Sequence, residues 1–450
     1  MALITLKQAA EWCGGRVEAK YENVTFCGAN IDSRKLQPGQ LFVALVAARD
    51  GHDFIPAALE KGASAVLCNR VEGDFPAIVV EDSRIALGQI AAGLLKKMAP
   101  KIIGVTGSVG KSTTKEMIAA VLETQYKVSK TPANHNNDLG MPAAVLAMDE
   151  DSEAVVLEMG MCRAGEIGYM SEMTHPHIGV IINIGTMHIE NLGSQEGILH
   201  AKLEITQGMD TQGKLLLYGD DSFLWGSREN LPVDAGYFGQ YNETCSVRAE
   251  DVQHNEVGIR YIAVCDAGRF PVYLPLEGEH YVADSLAAVS VGLELGITPE
   301  NIQKGLAAFR TMEGRQEIFT FKGCTIIKDC YNAGPESMEA ALKVLGNRQG
   351  RKIAVLADML ELGKHSAYAH EKVGALAAQY ADVLLCYGPE SAAMLTGAKK
   401  AGMANAHHYL ERSALQADLL SMVGAGDVLL FKGSRGMKME LSLEAFMKEI

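Results

Sequence analysis

GVTGSVGKST, residues 104–113, stands between the apolar run KIIGV (101–105) and TTKEMIAAVLE (113–123), whose apolar residues recur at helical spacing. A buried strand that turns through glycines into a Lys-Ser-Thr helix start has the sequence form of a P-loop. Gly107 and Gly110 would let backbone N–H groups approach phosphates along Ser108, Val109 and Thr113. Lys111 would neutralise β/γ oxygens, and the Ser112 hydroxyl would ligate Mg²⁺. One feature departs from the general pattern, which has glycine six residues before the lysine: Val105 stands there, with Gly104 one step earlier.

Working outward from the loop, the chain repeats strand, loop and helix through AVVLEMG (154–160), IGVIINIG (178–185) and KLLLYGDD (214–221). Continuous apolar runs of this kind suit parallel strands buried on both faces. Residues 235–275 alternate at period two around turn signals, which predicts an antiparallel insertion. YVADSLAAVSVGLELG (281–296) returns to the helical period. Near residue 311 a further unit opens, with strands TIIKDCYN, KIAVLADM, DVLLCYG and DVLLFKGS. Ahead of the P-loop, short apolar runs alternate with helical patterns until ALGQIAAGLLKKM (86–98) meets Pro100. The expectation is an α/β chain of three domains, 1–98, 99–310 and 311–450.

Length and composition agree with several packed cores. The 450 residues exceed what one core organises, and 48% hydrophobic with 21% charged residues excludes disorder. Lysine and arginine number 41 against 55 acidic residues, a net charge of −14 that disfavours a large phosphate-backbone surface, so nucleic acid is not expected as partner. Nine cysteines lack any C-x-x-C or metal-finger spacing and read as reduced thiols. The N-terminus has no basic and apolar leader pattern, and no apolar run reaches bilayer length, so a soluble cytoplasmic protein is expected.

Polar residues follow the apolar runs at Thr106, Glu158, Asn183, Asp220, Asp329, Asp358 and Lys432. Ligands of parallel α/β sheets bind outside the carboxyl ends of strands, so a cleft between two such edges is expected. Glu158 ends the strand beside the P-loop, where a carboxylate suits Mg²⁺ better than solvent.

The displaced early glycine, together with NHNNDLGMP (134–142), LEMGMCRAGEI (157–167), NIGTMHIENLGS (183–194), EGILHAKLEI (196–205), GEHYVADSLAA (278–288), GRQE (314–317), KDCYNAGPES (328–337) and KGSRGMKME (432–440), resembles the Mur ligases, ATP-dependent amide-forming enzymes of peptidoglycan precursor synthesis. The likeness spans nearly the whole chain. It implies a UDP-substrate domain at 1–98, a central P-loop sheet domain that binds ATP at 99–310, and a Rossmann-like ligase domain at 311–450. It also implies that Glu158 and His188 hold Mg²⁺ and that Lys202, in A-K-x-E, is carbamylated and becomes an anionic ligand. Asn137, within the asparagine cluster Asn134, Asn136 and Asn137, would face the reacting phosphate. His280 and Asp284 would lie by the nucleoside, with Tyr281 and Asp284 standing where the family usually shows asparagines. Arg315 would reach the phosphates and Asp329 the ribose hydroxyls, although both could instead form an interdomain salt bridge. Asp32, Ser33 and Arg34 would lie near the UDP-sugar.

Within the family, the first unit lacks the G-x-G-x-x-G of the two earliest-acting ligases, and no Asp-Asn-Pro-Arg marks the ligase that adds the third residue. The resemblance therefore implies the step that joins UDP-N-acetylmuramoyl-tripeptide to D-alanyl-D-alanine through an acyl phosphate, by a monomer using ATP and Mg²⁺. The third-residue ligase, a folylpolyglutamate-type synthetase, and, in another class, a P-loop switch or transport ATPase remain the alternatives.

Overall fold

The computed structural model describes residues 1–449. Its centre is a nine-stranded sheet in the order Gly268–Leu274, Gly258–Cys265, Val247–Asn255, Asp234–Gly239, Lys214–Tyr218, Ile178–Ile181, Lys101–Thr106, Ala154–Glu158, Val128–Lys130. The apolar runs are continuous because both faces are covered. Ile103, Val105 and Val156 point to one side, against Met117, Ile118 and Val121 of the helix Lys111–Leu122 and Leu286 of Tyr281–Glu294. Ile102, Val155 and Leu157 point to the other, against Met141, Val145 and Met170. Each such burial contributes roughly 1.5–3 kcal/mol before entropy opposes it.

The antiparallel insertion is shorter than its sequence pattern indicates. Asp234–Gly239 runs parallel to Lys214–Tyr218, and Val247–Asn255 pairs with it in parallel at Phe238↔Val247; only the last two strands are added antiparallel. Period-two alternation reports one buried face, not strand direction. Asp220, just after Lys214–Tyr218, holds the turn between Asp234–Gly239 and Val247–Asn255, accepting the backbone N–H groups of Gln240, Tyr241 and Asn242.

Ahead of the P-loop, Ala29–Asn30, Leu41–Val43, Ala65–Cys68 and Ala77–Val79 form a four-stranded parallel sheet. The helix Ser83–Met98 follows. Asp82 caps it, accepting the N–H of Arg84 at 2.7 Å and of Ile85 at 3.1 Å, and left-handed Ala99 (φ 49°) ends it. Its Leu87, Ile90 and Leu94 share a core with Met141 and Val145, which fixes this unit on the central one and aims Arg84 toward the P-loop side.

Beyond the central sheet, six strands run in the order Glu317–Phe321, Cys324–Asp329, Val428–Lys432, Lys352–Ala357, Val383–Tyr387, Ala406–Tyr409. All pairs are parallel except the first, an antiparallel hairpin. Among the described residues no helix is long and apolar enough to cross a membrane.

Candidate active site

The carboxyl edges of the two large sheets face one another across a cleft of about 600 Å³. The P-loop forms its floor. Asn183, at the end of the neighbouring strand, accepts the backbone N–H groups of Ser108 and Val109 on its Oδ1, both at 2.9 Å, and donates to Val109 O at 3.0 Å. Those two N–H groups are thus already engaged. The N–H groups open to an anion are those at the start of the helix, on Lys111, Ser112 and Thr113, which have no intrahelical acceptor. Gly110 is left-handed (φ 86°), and a Cβ there would come 2.7 Å from Asp284 Oδ1, so the position demands glycine twice over.

Lys111 folds back on its own loop, donating to Gly107 O at 2.8 Å and Ser108 O at 3.2 Å. Desolvation lowers its pKa, Glu158 opposes that shift and Arg315 adds to it. Arg315 arrives from the third unit, donates to Ser112 Oγ at 3.0 Å and lies 3.9 Å over the Tyr331 ring.

Glu158 is 2% exposed; Oε1 accepts from Asn136 Nδ2 at 2.8 Å, while Oε2 is buried with no hydrogen-bond donor and lies 3.9 Å from Lys115 Nζ. A buried carboxylate oxygen without a donor is costly unless something cationic meets it. His188 sits in left-handed backbone (φ 62°) with Nδ1 2.5 Å from Glu361 Oε2, an ion-pair distance. Burial first, then the Lys111 and Lys202 charges, lower its pKa against the opposing pull of Glu361. Lys202 lies behind the cleft wall, 2% exposed, and desolvation followed by Lys111 holds its amine well below the ordinary lysine range.

The remaining expected residues divide. His280, Asp284 and Asp329 line the cleft. Burial raises Asp284 to about 7 although Thr114 Oγ1 donates to it at 2.8 Å. Asp329 accepts from Lys432, 2.6 Å away and itself 2% exposed, so its ion pair is internal to the third unit, while Arg315 makes the interdomain bond to a hydroxyl. Asn137 lines the cleft, but its Oδ1 accepts the Gly140 N–H at 2.7 Å and holds a turn; Asn136 is the member of the cluster bonded to Glu158. Asp32, Ser33 and Arg34 do not line the cleft: Arg34 is 86% exposed and makes a two-pronged contact with Asp32, whose carboxyl it holds at about 2. Asp220 and Asp358 also stay outside, each accepting loop N–H groups.

Several groups in or beside the cleft escaped sequence reasoning. Arg84 pairs with Asp138 at 2.9 Å and brings the first unit to the rim. Tyr331 is the platform under Arg315, and its place inside KDCYNAGPES was the available signal. Glu336, at the first turn of Pro335–Gly346, accepts Thr186 N–H at 2.9 Å and Thr186 Oγ1 at 3.0 Å, which couples the third unit to the loop carrying His188.

Known proteins align with this arrangement from end to end. The family description "Mur ligase family, catalytic domain" matches residues 25–131, "Mur ligase middle domain" residues 105–292, and "Mur ligase, glutamate ligase domain" residues 314–435. UDP-N-acetylmuramoyl-tripeptide–D-alanyl-D-alanine ligase of Bacillus subtilis is 39% identical over 447 residues, covering 97% of this chain and 96% of its own. The crystal structure of MurF from Acinetobacter baumannii superposes with a TM-score of 0.92 at 30% identity, covering 100% of both chains. MurF ligase from Thermotoga maritima, solved in complex with ADP, gives 0.83 at 30% identity over 94% of this chain and 97% of that one. With three consecutive family matches and full-length relatives above 30% identity, the chain belongs to the Mur ligase family.

Proposed function

We infer that this chain is the ATP-dependent ligase that joins D-alanyl-D-alanine to UDP-N-acetylmuramoyl-tripeptide in peptidoglycan precursor synthesis. The observation that carries the reading is the P-loop cleft closed by a second lobe, in a chain whose full-length relatives bear that activity in their names. Those relatives also separate it from the third-residue ligase, the folylpolyglutamate synthetase and the ATPase alternatives.

The division of labour follows the three units: 1–98 for the UDP-linked substrate through Asp32, Ser33 and Arg34, 99–310 for ATP, and 311–450 for the closing lobe. The tripeptide carboxylate attacks the γ-phosphorus, ADP leaves, and the resulting acyl phosphate is attacked by the dipeptide amine. That amine loses a proton as inorganic phosphate departs. Lys111 exchanges its loop carbonyls for phosphate oxygens, and Arg315 adds a second cation from the opposite lobe. His280 and Asp284 flank the nucleoside, and Asp329 meets the ribose. Apposed lobes keep water from the acyl phosphate, whose hydrolysis would waste the ATP.

Ser112 Oγ and the Glu158 Oε2 that lacks a hydrogen-bond donor are oxygen ligands that fit Mg²⁺, a hard cation, and His188 on the same cleft wall would be its weaker, nitrogen ligand. Bound there, the ion supplies positive charge to the triphosphate. Lys202 completes the set by chemistry its burial favours: its neutral amine attacks carbon dioxide, a proton leaves to solvent, and the carbamate anion that replaces the amine would be met by the bound Mg²⁺. The enzyme works as a monomer in the cytoplasm, where ATP is available.

A decisive test labels the tripeptide's terminal carboxylate with oxygen-18. One labelled oxygen appears in the phosphate released if an acyl phosphate forms; unlabelled phosphate overturns the mechanism.

A further inference from the structure

The cleft rim carries a second set of metal donors, which shares His188 with the magnesium set and adds two groups that set does not use. Cys162 Sγ, a ring nitrogen of His188 and a carboxylate oxygen of Glu361 all lie within 4.8 Å of one another. The three come from separate places in the chain. Cys162 follows the strand Ala154–Glu158, and its backbone N–H donates to Glu166 Oε2 at 2.6 Å, with Arg163 N–H at 3.1 Å on the same oxygen. His188 precedes the short helix Ile189–Leu192. Glu361 belongs to the third unit and takes left-handed backbone (φ 63°), and two residues on, Gly363 packs so closely on Glu190 that a Cβ would come within 2.9 Å of its side chain. The loop bearing Glu361 is therefore seated on the helix that His188 begins.

One thiol, one imidazole and one carboxylate, with a fourth position left to water, form a three-ligand tetrahedral set. Zinc bonds of about 2.0–2.3 Å place tetrahedral donors roughly 3.3–3.8 Å apart, so the site forms when side-chain rotation opens the 2.5 Å contact between His188 Nδ1 and Glu361 Oε2 and brings Cys162 in beside them. Thiolate and imidazole favour a borderline-soft ion over magnesium, which takes oxygen. We propose that Zn²⁺ binds Cys162, His188 and Glu361 across the two lobes, releasing the thiol proton to solvent, and inhibits the enzyme by holding the lobes together and occupying His188. The binding rests on these side chains alone; the inhibition rests on the ligase reading above.

The test uses the full chain, nucleotide-free, in excess Mg²⁺, with Co²⁺ as a coloured stand-in for zinc. One Co²⁺ per chain should give thiolate-to-cobalt charge-transfer absorption, erased by Zn²⁺. Cys162→Ser should abolish the band, and Cys162→Ser and Glu361→Gln should each weaken Zn²⁺ binding at least about tenfold, since even outer-shell losses reach that size. Both substitutions are at exposed positions, and circular dichroism checks their folding. No thiolate band, or a band that survives Cys162→Ser, overturns the site; unchanged affinity in Glu361→Gln overturns the bridge between lobes. In turnover at saturating Mg²⁺, zinc should inhibit the parent chain and lose at least about tenfold potency on Cys162→Ser, each rate taken relative to its own zinc-free value. Zinc binding without inhibition overturns the regulatory half, whereas failure of the ligase reading leaves the cobalt spectrum untouched.

Discussion

Lys202→Met should make the protein more stable while ending its catalysis. The amine is 2% exposed, and among the described residues no carboxylate pairs with it. Burial holds its pKa well below the ordinary lysine value, so the unfolded chain binds a proton that the folded chain gives up. Stability therefore rises with pH from the depressed folded value toward the unfolded one near 10.4, and at neutral pH the fold carries a penalty. Methionine keeps the length of the side chain and removes that penalty, which mutational data place at roughly 1–3 kcal/mol for an unpartnered buried polar group. Converted at about 2–4 °C per kcal/mol for a unit of this size, Tm should rise by about 2–12 °C. Thermal unfolding in bicarbonate-free buffer at pH 7 measures the gain, which should shrink as the pH is raised toward 10. Turnover should fall about a hundredfold or more, as the proposed carbamate is lost. A methionine variant no more stable than the parent at pH 7, or a gain that grows with pH, would refute the reasoning, because the amine would then have a favourable partner in the fold.

Lys111→Ala should lower kcat/KM by at least about 10²–10³-fold with unchanged circular dichroism, since its amine bonds only to loop carbonyls in the free protein. Asp284 holds its proton up to about pH 7, so folded protein binds a proton the unfolded chain releases and stability falls as pH rises from about 4 to about 7; urea unfolding of Asp284→Asn should show that slope flattened. Arg34→Ala should raise KM for the UDP-tripeptide and leave KM for ATP and Tm unchanged, and an unaltered substrate KM would remove the role given to the first unit. Glu336→Gln, which weakens a charge-assisted bond to Thr186 of about 1.5–3 kcal/mol, should lower kcat several-fold with little change in KM for ATP, as stopped-flow and steady-state rates would show.

The P-loop was legible because strand, glycine turn, Lys-Ser and helix are local features, and Val105 in place of the usual glycine is accommodated as a fully buried strand residue. Position after a strand was a weaker guide. Glu158, Asp329 and Lys432 reach the cleft, but Asp220 and Asp358 stand in equivalent places and bind the N–H groups of their own loops. Nothing local separates a carboxylate awaiting a ligand from one satisfied by backbone. Arg84 and Glu336 were illegible for another reason: each owes its place to a partner far away in sequence, Asp138 or Thr186. The edge strand Ala406–Tyr409 carries two histidines and too little apolar patterning to announce itself. Lys202 shows the opposite limit, a lysine that reads as a surface cation beside Glu204 and proves buried, its significance fixed only by what packs over it.

The central claim is that this cleft spends ATP only to join two substrates. Phosphate release measured with ATP and Mg²⁺ should be near background alone or with D-alanyl-D-alanine. It should rise to one phosphate per amide formed when UDP-N-acetylmuramoyl-tripeptide and the dipeptide are both present. Sustained ATP hydrolysis that neither substrate alters would contradict the account.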